Sequence, residues 1–394
     1  VKPLKVMLVA AEASGDALGA NLARALKARL GDGVVFCGVG GARMAAEGVE
    51  SPFDISELSI LGWVEGIKAY GRVKRRVREV AEFAAREKPD VAVLIDSWGF
   101  TIRVAKALRV LDPGIVLVKY VAPQVWASRP GRAKTLAATV DHLLAINQMD
   151  PPWFERAGLA TTFVGNPALT IDFGRADGAR FRAAIGATPD EPVLLMLPGS
   201  RPGEIEKLMP HFEDAGRRLR ETHPDLKIAV VVAPSVREDV LGRLAAWPIR
   251  TVTVEDDAAK HDAMKGATVA LACSGTVSTE LGMAGCPMVI AYRLGGFSYW
   301  LLRRLVTVRY ATLFNIAADE EVAPEFLQER CTGENLAKAV AARLDDPALR
   351  ADQVARQFAA LDRMGRGGGD PAEKAADAVI SVLAARKAAA TPSA

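Results

Sequence analysis

Cysteine and histidine are scarce. The 394-residue chain has four of each, and none of Cys37, Cys273, Cys286 and Cys331 forms a C-x-x-C pair. That argues against both a zinc site and a disulfide framework. His142, His211, His223 and His261 are scattered, so no histidine-based metal site is expected. No apolar run reaches the ~20 residues of a membrane span. The formal net charge is only +3, which gives no global nucleic-acid signal. There is no Walker lysine motif. The nearest approach to G-x-G-x-x-G is "GVGGAR", where Arg43 occupies the third glycine position. A dinucleotide or ATP fingerprint is therefore missing.

What is present is a globular composition. Half the residues are hydrophobic and a quarter are charged, enough for a large core. The length predicts two domains at about 100–200 residues each. "VKPLKVMLVAAEASGD" leads from a short apolar run into a motif-like turn, so it reads as a first strand and not a signal peptide.

Short apolar runs alternate with helical spacing. Residues 5–11, 34–40, 90–96, 115–121, 142–147 and 161–166 read as one strand series. Residues 192–200, 227–235, 250–255, 267–275 and 286–294 read as a second. This β-α-β alternation predicts two tandem Rossmann-like α/β domains. The expected division is 1–167, 168–350, and C-terminal helices over 351–394 that pack back on the first domain. Ligands bind beyond the carboxyl ends of such strands, so a cleft between the domains is the expected site.

Four strand ends carry polar residues suited to chemistry. "EASGD" supplies Glu12, Ser14, Gly15 and Asp16, and "LIDSWGF" puts Asp96 after an apolar strand. "LPGSRPGEI" supplies Gly199, Ser200 and Arg201: backbone N–H groups and a planar cationic fork suit a phosphate. "CSGTVSTELG" repeats the pattern with Ser274, Gly275 and Thr276, and adds Glu280, a carboxylate able to hold ribose hydroxyls. Each has an ordinary alternative. Asp96 or Ser97 can cap a helix, Arg201 can be a surface residue, and Glu280 an acid of a helical first turn. Asp256 and Asp257 are read as helix caps and not as a metal pair.

Taken in order, "AEASGDALGANLARAL", "GVGGARMAAEG", "YVAPQVWASRPGRAKTL", "VDHLLAI", "FVGNP", "LPGSRPGEI", "CSGTVSTELGMAGCPMVIAYR" and "FNIAADEEVAPEFLQE" resemble the lipid-A-disaccharide synthase family over nearly the whole chain. The resemblance implies an inverting glycosyltransferase of the B architecture, without metal or other cofactor. It implies a UDP-2,3-diacylglucosamine donor and a 2,3-diacylglucosamine 1-phosphate acceptor. The products are a β(1→6)-linked disaccharide 1-phosphate and UDP. It also implies a cytoplasmic protein, peripheral on the inner face of the inner membrane. By the same resemblance, Asp96 is the base and Arg201 with Gly199 and Ser200 addresses the diphosphate. Ser274, Gly275, Thr276, Glu280, Asn315, Glu325 and Gln328 fall on the donor side. Glu12, Ser14, Gly15 and Asp16 fall in the acceptor-side cleft.

The chain departs from the family pattern in places. The family often has "IDAPDF" where this chain has "IDSWGF", so Asp96 is kept and a second acid is replaced by Gly99. "INQMDPP" stands where "FPFE" is usual, which puts the acceptor-side loop at 148–152 in question. "GNP" replaces "GHP", so Asn166 has no acid–base role. Another UDP-sugar enzyme of this architecture, such as a 2-epimerase, is the alternative within the class. A non-catalytic nucleotide-sugar binder is the alternative outside it, and it gives Asp96 no purpose.

One basic stretch has a face suited to an anionic membrane surface. Leu61, Trp63, Val64, Ile67 and Tyr70 precede Arg72, Lys74, Arg75, Arg76 and Arg78, a mixture that suits an interfacial segment; the ordinary alternative is a core-facing helix with a solvated basic face. The sequence leaves the oligomeric state open.

Overall fold

A computed structural model describes residues 2–59, 66–293 and 309–390. The chain forms two compact units, Val1–Pro167 with Gly368–Ala394 and Ala168–Gly367.

The first unit is built on a parallel sheet of β1 (Leu4–Val9), β2 (Val34–Val39), β3 (Val91–Ile95), β4 (Val116–Tyr120), β5 (His142–Ala145) and β6 (Thr161–Phe163). The strand order is β2-β1-β3-β4-β5-β6. β3 and β4 are buried at every position. Helices on both faces explain why these strands are continuous apolar runs without alternation. Successive residues still serve opposite faces. Met7, Val9, Leu94 and Leu117 join one core, and Val6, Leu8, Val93 and Val118 join the other.

The second unit repeats the plan with β7 (Val193–Leu197), β8 (Lys227–Val231), β9 (Thr251–Val254), β10 (Val269–Cys273), β11 (Met288–Tyr292) and β12 (Glu325–Leu327). Its order is β12-β11-β10-β7-β8-β9, again parallel. The three-residue β12 has no apolar run to announce it, and the sequence reading did not include it.

The C-terminal helices divide between the units, which corrects the expectation that 351–394 packs as a block on the first domain. The helix Pro347–Arg363 stays with the second unit. Its buried Gln353 Nε2 donates to the Met288 carbonyl at 2.8 Å, and Gln357 Nε2 to the Cys286 carbonyl at 3.0 Å. The glycines at 365, 367 and 369 then take φ of 99°, 76° and 90°, a left-handed run that side chains oppose. Only the helix Pro371–Ala390 joins the first unit, where Ala375, Ala376, Val379 and Leu383 pack in the core that holds Leu22 and Leu26.

Each sheet has one point where the strand order reverses, and polar chemistry is expected there. In the first unit it lies between β1 and β3, whose carboxyl ends lead to Glu12 and Asp96. In the second it lies between β7 and β10, which lead to the Pro198–Arg201 and Ser274–Thr276 turns.

Candidate active site

In the first unit, β1 ends at Glu12, the N-cap of the helix Ala13–Leu30. Ser14, Gly15 and Asp16 lie in that helix's first turn. Gly15 permits close packing, because a Cβ there would meet Ala10 Cβ at 3.2 Å and Ile95 Cγ2 at 3.6 Å. Asp16 is buried. Its carboxylate accepts from the amides of Gly41 at 2.7 Å, Arg43 at 3.0 Å and Met44 at 3.0 Å. It fixes the start of the helix Ala42–Ala46. Glu12 points outward and accepts from Ser97 Oγ at 3.0 Å.

Asp96 and Ser97 have φ of 47° and 37°, and Val121, beyond β4, has 73°. Such conformations are uncommon for side-chain-bearing residues and unusual for a β-branched one. They sit together because the Asp96 amide donates to the Tyr120 carbonyl at 2.9 Å and the Val121 amide to Leu144 at 3.0 Å. Backbone held this way at strand ends is a recurring property of reactive sites. Asp96 is half-buried.

Beneath it lies Lys119, which the sequence reading passed over inside "IVLVKYV". Lys119 is 2% exposed, and its ammonium donates to the Asp96 carbonyl and to Thr101 Oγ1 at 3.1 Å. Burial drives its pKa down to about 7, against the pull of Asp96. A lone charged residue in an otherwise apolar strand was the available signal.

The "INQMDPP" segment proves to be an anchor. Buried Asp150 accepts from Trp126 Nε1 at 2.8 Å and from the amide and side chain of Asn147 at 3.2 Å each. Burial raises its carboxyl to about 6, although these three donors oppose the shift.

In the second unit, β7 ends at Pro198 and the chain turns at Gly199, φ 121°. The Ser200 and Arg201 amides donate to Glu204 Oε2 at 3.0 and 3.2 Å, and Ser235 Oγ donates to the Ser200 carbonyl at 2.6 Å. The expectation that these two amides face a phosphate is corrected: Glu204, three residues into the turn's own helix, satisfies them as a capping carboxylate does. The Arg201 guanidinium remains outside this arrangement. Its side chain is 78% exposed and only 3.6 Å from Glu204 Oε1.

The second turn is more open. Gly275 has φ 154° and a Cβ there would meet nothing within 4 Å. Thr276 opens the helix Thr276–Met283, whose N-cap has no side-chain partner. Glu280 lies on the buried side and makes a 2.9 Å ion contact with Lys260. That oxygen has no aligned hydrogen-bond donor. Burial works against the Lys260 charge, but Glu280 and then Asp257 outweigh it and keep its pKa above the usual lysine value.

Asn315 and Glu325 differ from donor contacts, which corrects the sequence assignment. Asn315 is fully buried, with Nδ2 donating to the Ala323 carbonyl and to Glu325 Oε1 at 2.8 Å each. Its Oδ1 accepts the Val322 and Ala323 amides at 2.9 and 3.0 Å. Glu325 also accepts the Ala311 and Thr312 amides at 2.6 and 2.8 Å. Ser274 Oγ donates to the Ala311 carbonyl at 3.5 Å. The pair thus orders the backbone behind the Ser274 turn. Gln328 is buried with φ 52°.

Leu61, Trp63 and Val64 lie outside the described residues, as do the side chains of Ile67 and Tyr70. The helix Gly66–Glu87 that follows puts Val73, Val80 and Ala84 in the core. Arg72, Lys74, Arg75 and Arg78 are exposed. Among the described residues no cluster of three or more His, Cys, Asp or Glu could hold a metal ion. Among them, too, no helix is long and apolar enough to cross a membrane.

Two Rossmann-like units with polar strand ends at both switch points are a fold shared by glycosyltransferases of the B architecture and UDP-sugar 2-epimerases. Solved structures share the fold. A glycosyltransferase of kitacinnamycin matches with TM-score 0.62 and 16% identity, over 97% of this chain and 100% of its own. A UDP-GlcNAc 2-epimerase from Neisseria meningitidis, bound to UDP-GlcNAc, matches with TM-score 0.58 and 11% identity over 97% and 100%.

The family model for lipid-A-disaccharide synthetase matches residues 6–375, and the chain belongs to that family. The lipid-A-disaccharide synthase of Rhodospirillum centenum is 41% identical over 386 residues, covering 98% of this chain and 96% of the relative. That of Ruegeria pomeroyi is 43% identical over 389 residues, 96% of each. The chain is a glycosyltransferase of lipid A biosynthesis, and its substrates are a sugar-nucleotide donor and a sugar acceptor.

Proposed function

We propose that Asp96 is the base that removes the proton from the acceptor's 6-hydroxyl as it attacks the donor's anomeric carbon. The new C–O bond forms in line with the breaking bond to UDP, so configuration inverts. The observation that carries this reading is the half-buried Asp96, held at the reversal point of its sheet on a strained turn. A primary hydroxyl is a poor nucleophile at neutral pH, and a positioned carboxylate supplies the missing basicity. Glu12, bonded to Ser97 Oγ at 3.0 Å, orders the same turn.

On the donor side, the exposed Arg201 guanidinium and the open Gly275–Thr276 turn meet the diphosphate. Cationic and amide donors aimed at the leaving group offset its growing charge. The amides of Ser200 and Arg201 support the turn through Glu204, and their contribution is to aim Arg201. The donor is UDP-2,3-diacylglucosamine and the acceptor 2,3-diacylglucosamine 1-phosphate. Incubating this pair and analysing the product by mass spectrometry tests the assignment. The expected product is a tetraacyl disaccharide 1-phosphate, with UDP released only when acceptor is present. UDP release without acceptor, or an epimerised donor, would sink it.

The acylated substrates reside in a bilayer, so the enzyme works against its cytoplasmic surface. The exposed Arg72, Lys74, Arg75 and Arg78 support an anionic-lipid contact, and Leu61, Trp63, Val64, Ile67 and Tyr70 precede them in the sequence. Flotation with anionic vesicles should weaken in Trp63→Glu and Ile67→Glu while the circular-dichroism spectrum is retained. Equal flotation of variants and parent speaks against the contact.

A further inference from the structure

The loop after β4 and the helix Gly131–Ala137 that follows it carry one arginine each, Arg129 and Arg132, with no acidic partner among the described residues. Trp126, buried in that loop, is tied to buried Asp150 at 2.8 Å, so the segment is firmly seated. Beyond it, Arg129 adopts φ 55° and is exposed. Arg132 is half-buried, and its guanidinium lies 5.2 Å from the Trp98 ring. Trp98 stands two residues beyond Asp96 and opens the helix Trp98–Leu111. Among the described residues neither guanidinium forms an ion pair or a side-chain hydrogen bond. Burial, and then repulsion from Arg129, lower the Arg132 pKa.

Two like charges brought together, one of them partly desolvated, are unfavourable in the protein alone. A dianion placed between them reverses the sign of the interaction. Guanidinium forks match phosphate oxygens in geometry as well as in charge. The Trp98 ring holds the Arg132 guanidinium through a cation–π contact. The pair is therefore better suited to one compact anion than to a diffuse field of lipid headgroups.

We propose that Arg129 and Arg132 form a phosphomonoester subsite that holds the anomeric phosphate of the acceptor. The proposal rests on the reading of Asp96 as the acceptor-side base. The 1-phosphate on C1 and the 6-hydroxyl carried through C5 flank the same ring oxygen of one rigid pyranose. A clamp on the phosphate therefore orients the hydroxyl without touching it. It also predicts selection of a phosphorylated sugar over the same sugar with a free anomeric hydroxyl.

The test compares 2,3-diacylglucosamine 1-phosphate with 2,3-diacylglucosamine in the parent, Arg129→Met, Arg132→Met and the double variant. Each compound is measured as acceptor and as a competitor, so one that is not turned over still reports its affinity. The parent should favour the phosphorylated compound. Each variant should lose about 10–100-fold in kcat/KM or affinity for it, with little change for the dephosphorylated one. Arg132→Lys should recover part of the loss, and the donor KM should stay near the parent value. Arg129 is exposed, so its variant reports even if Arg132→Met folds poorly. Unchanged selectivity in the double variant, or equal losses for both compounds, overturns the subsite. Lost vesicle flotation with selectivity intact overturns it too, and assigns the arginines to lipid phosphates. The base is judged separately: an active Asp96→Asn together with collapsed selectivity in the arginine variants would remove the base and leave the subsite.

Discussion

The ammonium of Lys119 is buried directly under the backbone of Asp96, where it donates to the Asp96 carbonyl and, at 3.1 Å, to Thr101 Oγ1. A lysine in this position supports the left-handed Asp96–Ser97 turn from below, and the strain of that turn needs such support.

The first prediction concerns this lysine and pH. Its folded pKa of about 7 lies below the ordinary lysine value of 10.5. Between those values the unfolded chain binds the proton more fully than the folded chain, so stability rises with pH there. Below about 7 the folded state carries the whole desolvation penalty. Denaturation midpoints of the parent should climb between about pH 7 and 10 relative to those of Lys119→Met. Parallel midpoint curves for the two proteins would show that Lys119 is not desolvated as described. The same variant should lose turnover more than donor affinity, because the Asp96 turn loses its underlying donor.

Asp96→Asn keeps size and shape but cannot take a proton. Turnover should fall by about 10²–10⁴-fold, with UDP affinity near the parent value. Retained turnover, or a loss of UDP binding as severe as the loss of rate, removes Asp96 from the role and makes Glu12 the next residue to test.

Arg201→Ala should weaken UDP binding by about 1.5–3 kcal/mol, the range for a hydrogen bond to a charged group. Titration calorimetry with UDP measures it. Arg201→Lys should recover only part, because an ammonium cannot reproduce the fork. The side chain is 78% exposed, so the fold should be unaffected, and an unchanged affinity counts directly against the contact.

Asn315→Ala should act through stability. The side chain satisfies four partners in a fully buried setting, and stranding them should cost at least about 1–3 kcal/mol. Urea unfolding should show the loss, with a weaker donor KM following from a disordered Ser274 turn. A variant of parent stability that has lost UDP affinity would restore Asn315 to a direct donor contact.

The sequence by itself determined the two-fold β-α-β plan, because fully buried parallel strands must be continuous apolar runs, as in "DVAVLID" and "PVLLMLPGS". It also determined which strand ends bear polar groups, since Gly199 and Gly275 mark turns that other residues resist. The ordered motifs carried the family and its reaction. Only the tertiary structure decided how the polar residues are used. The oxygens of Asp16 and Glu325 are taken by backbone amides brought from 25–28 and 13–14 residues away, partners that the chain alone does not name. Glu204 covers amides that the motif alone offered to phosphate. Arg132 meets Trp98 only because β4 lies beside β3 in the sheet. Hydrogen-bond saturation and like-charge proximity are properties of neighbours in space, and no local pattern records which neighbours the fold will supply.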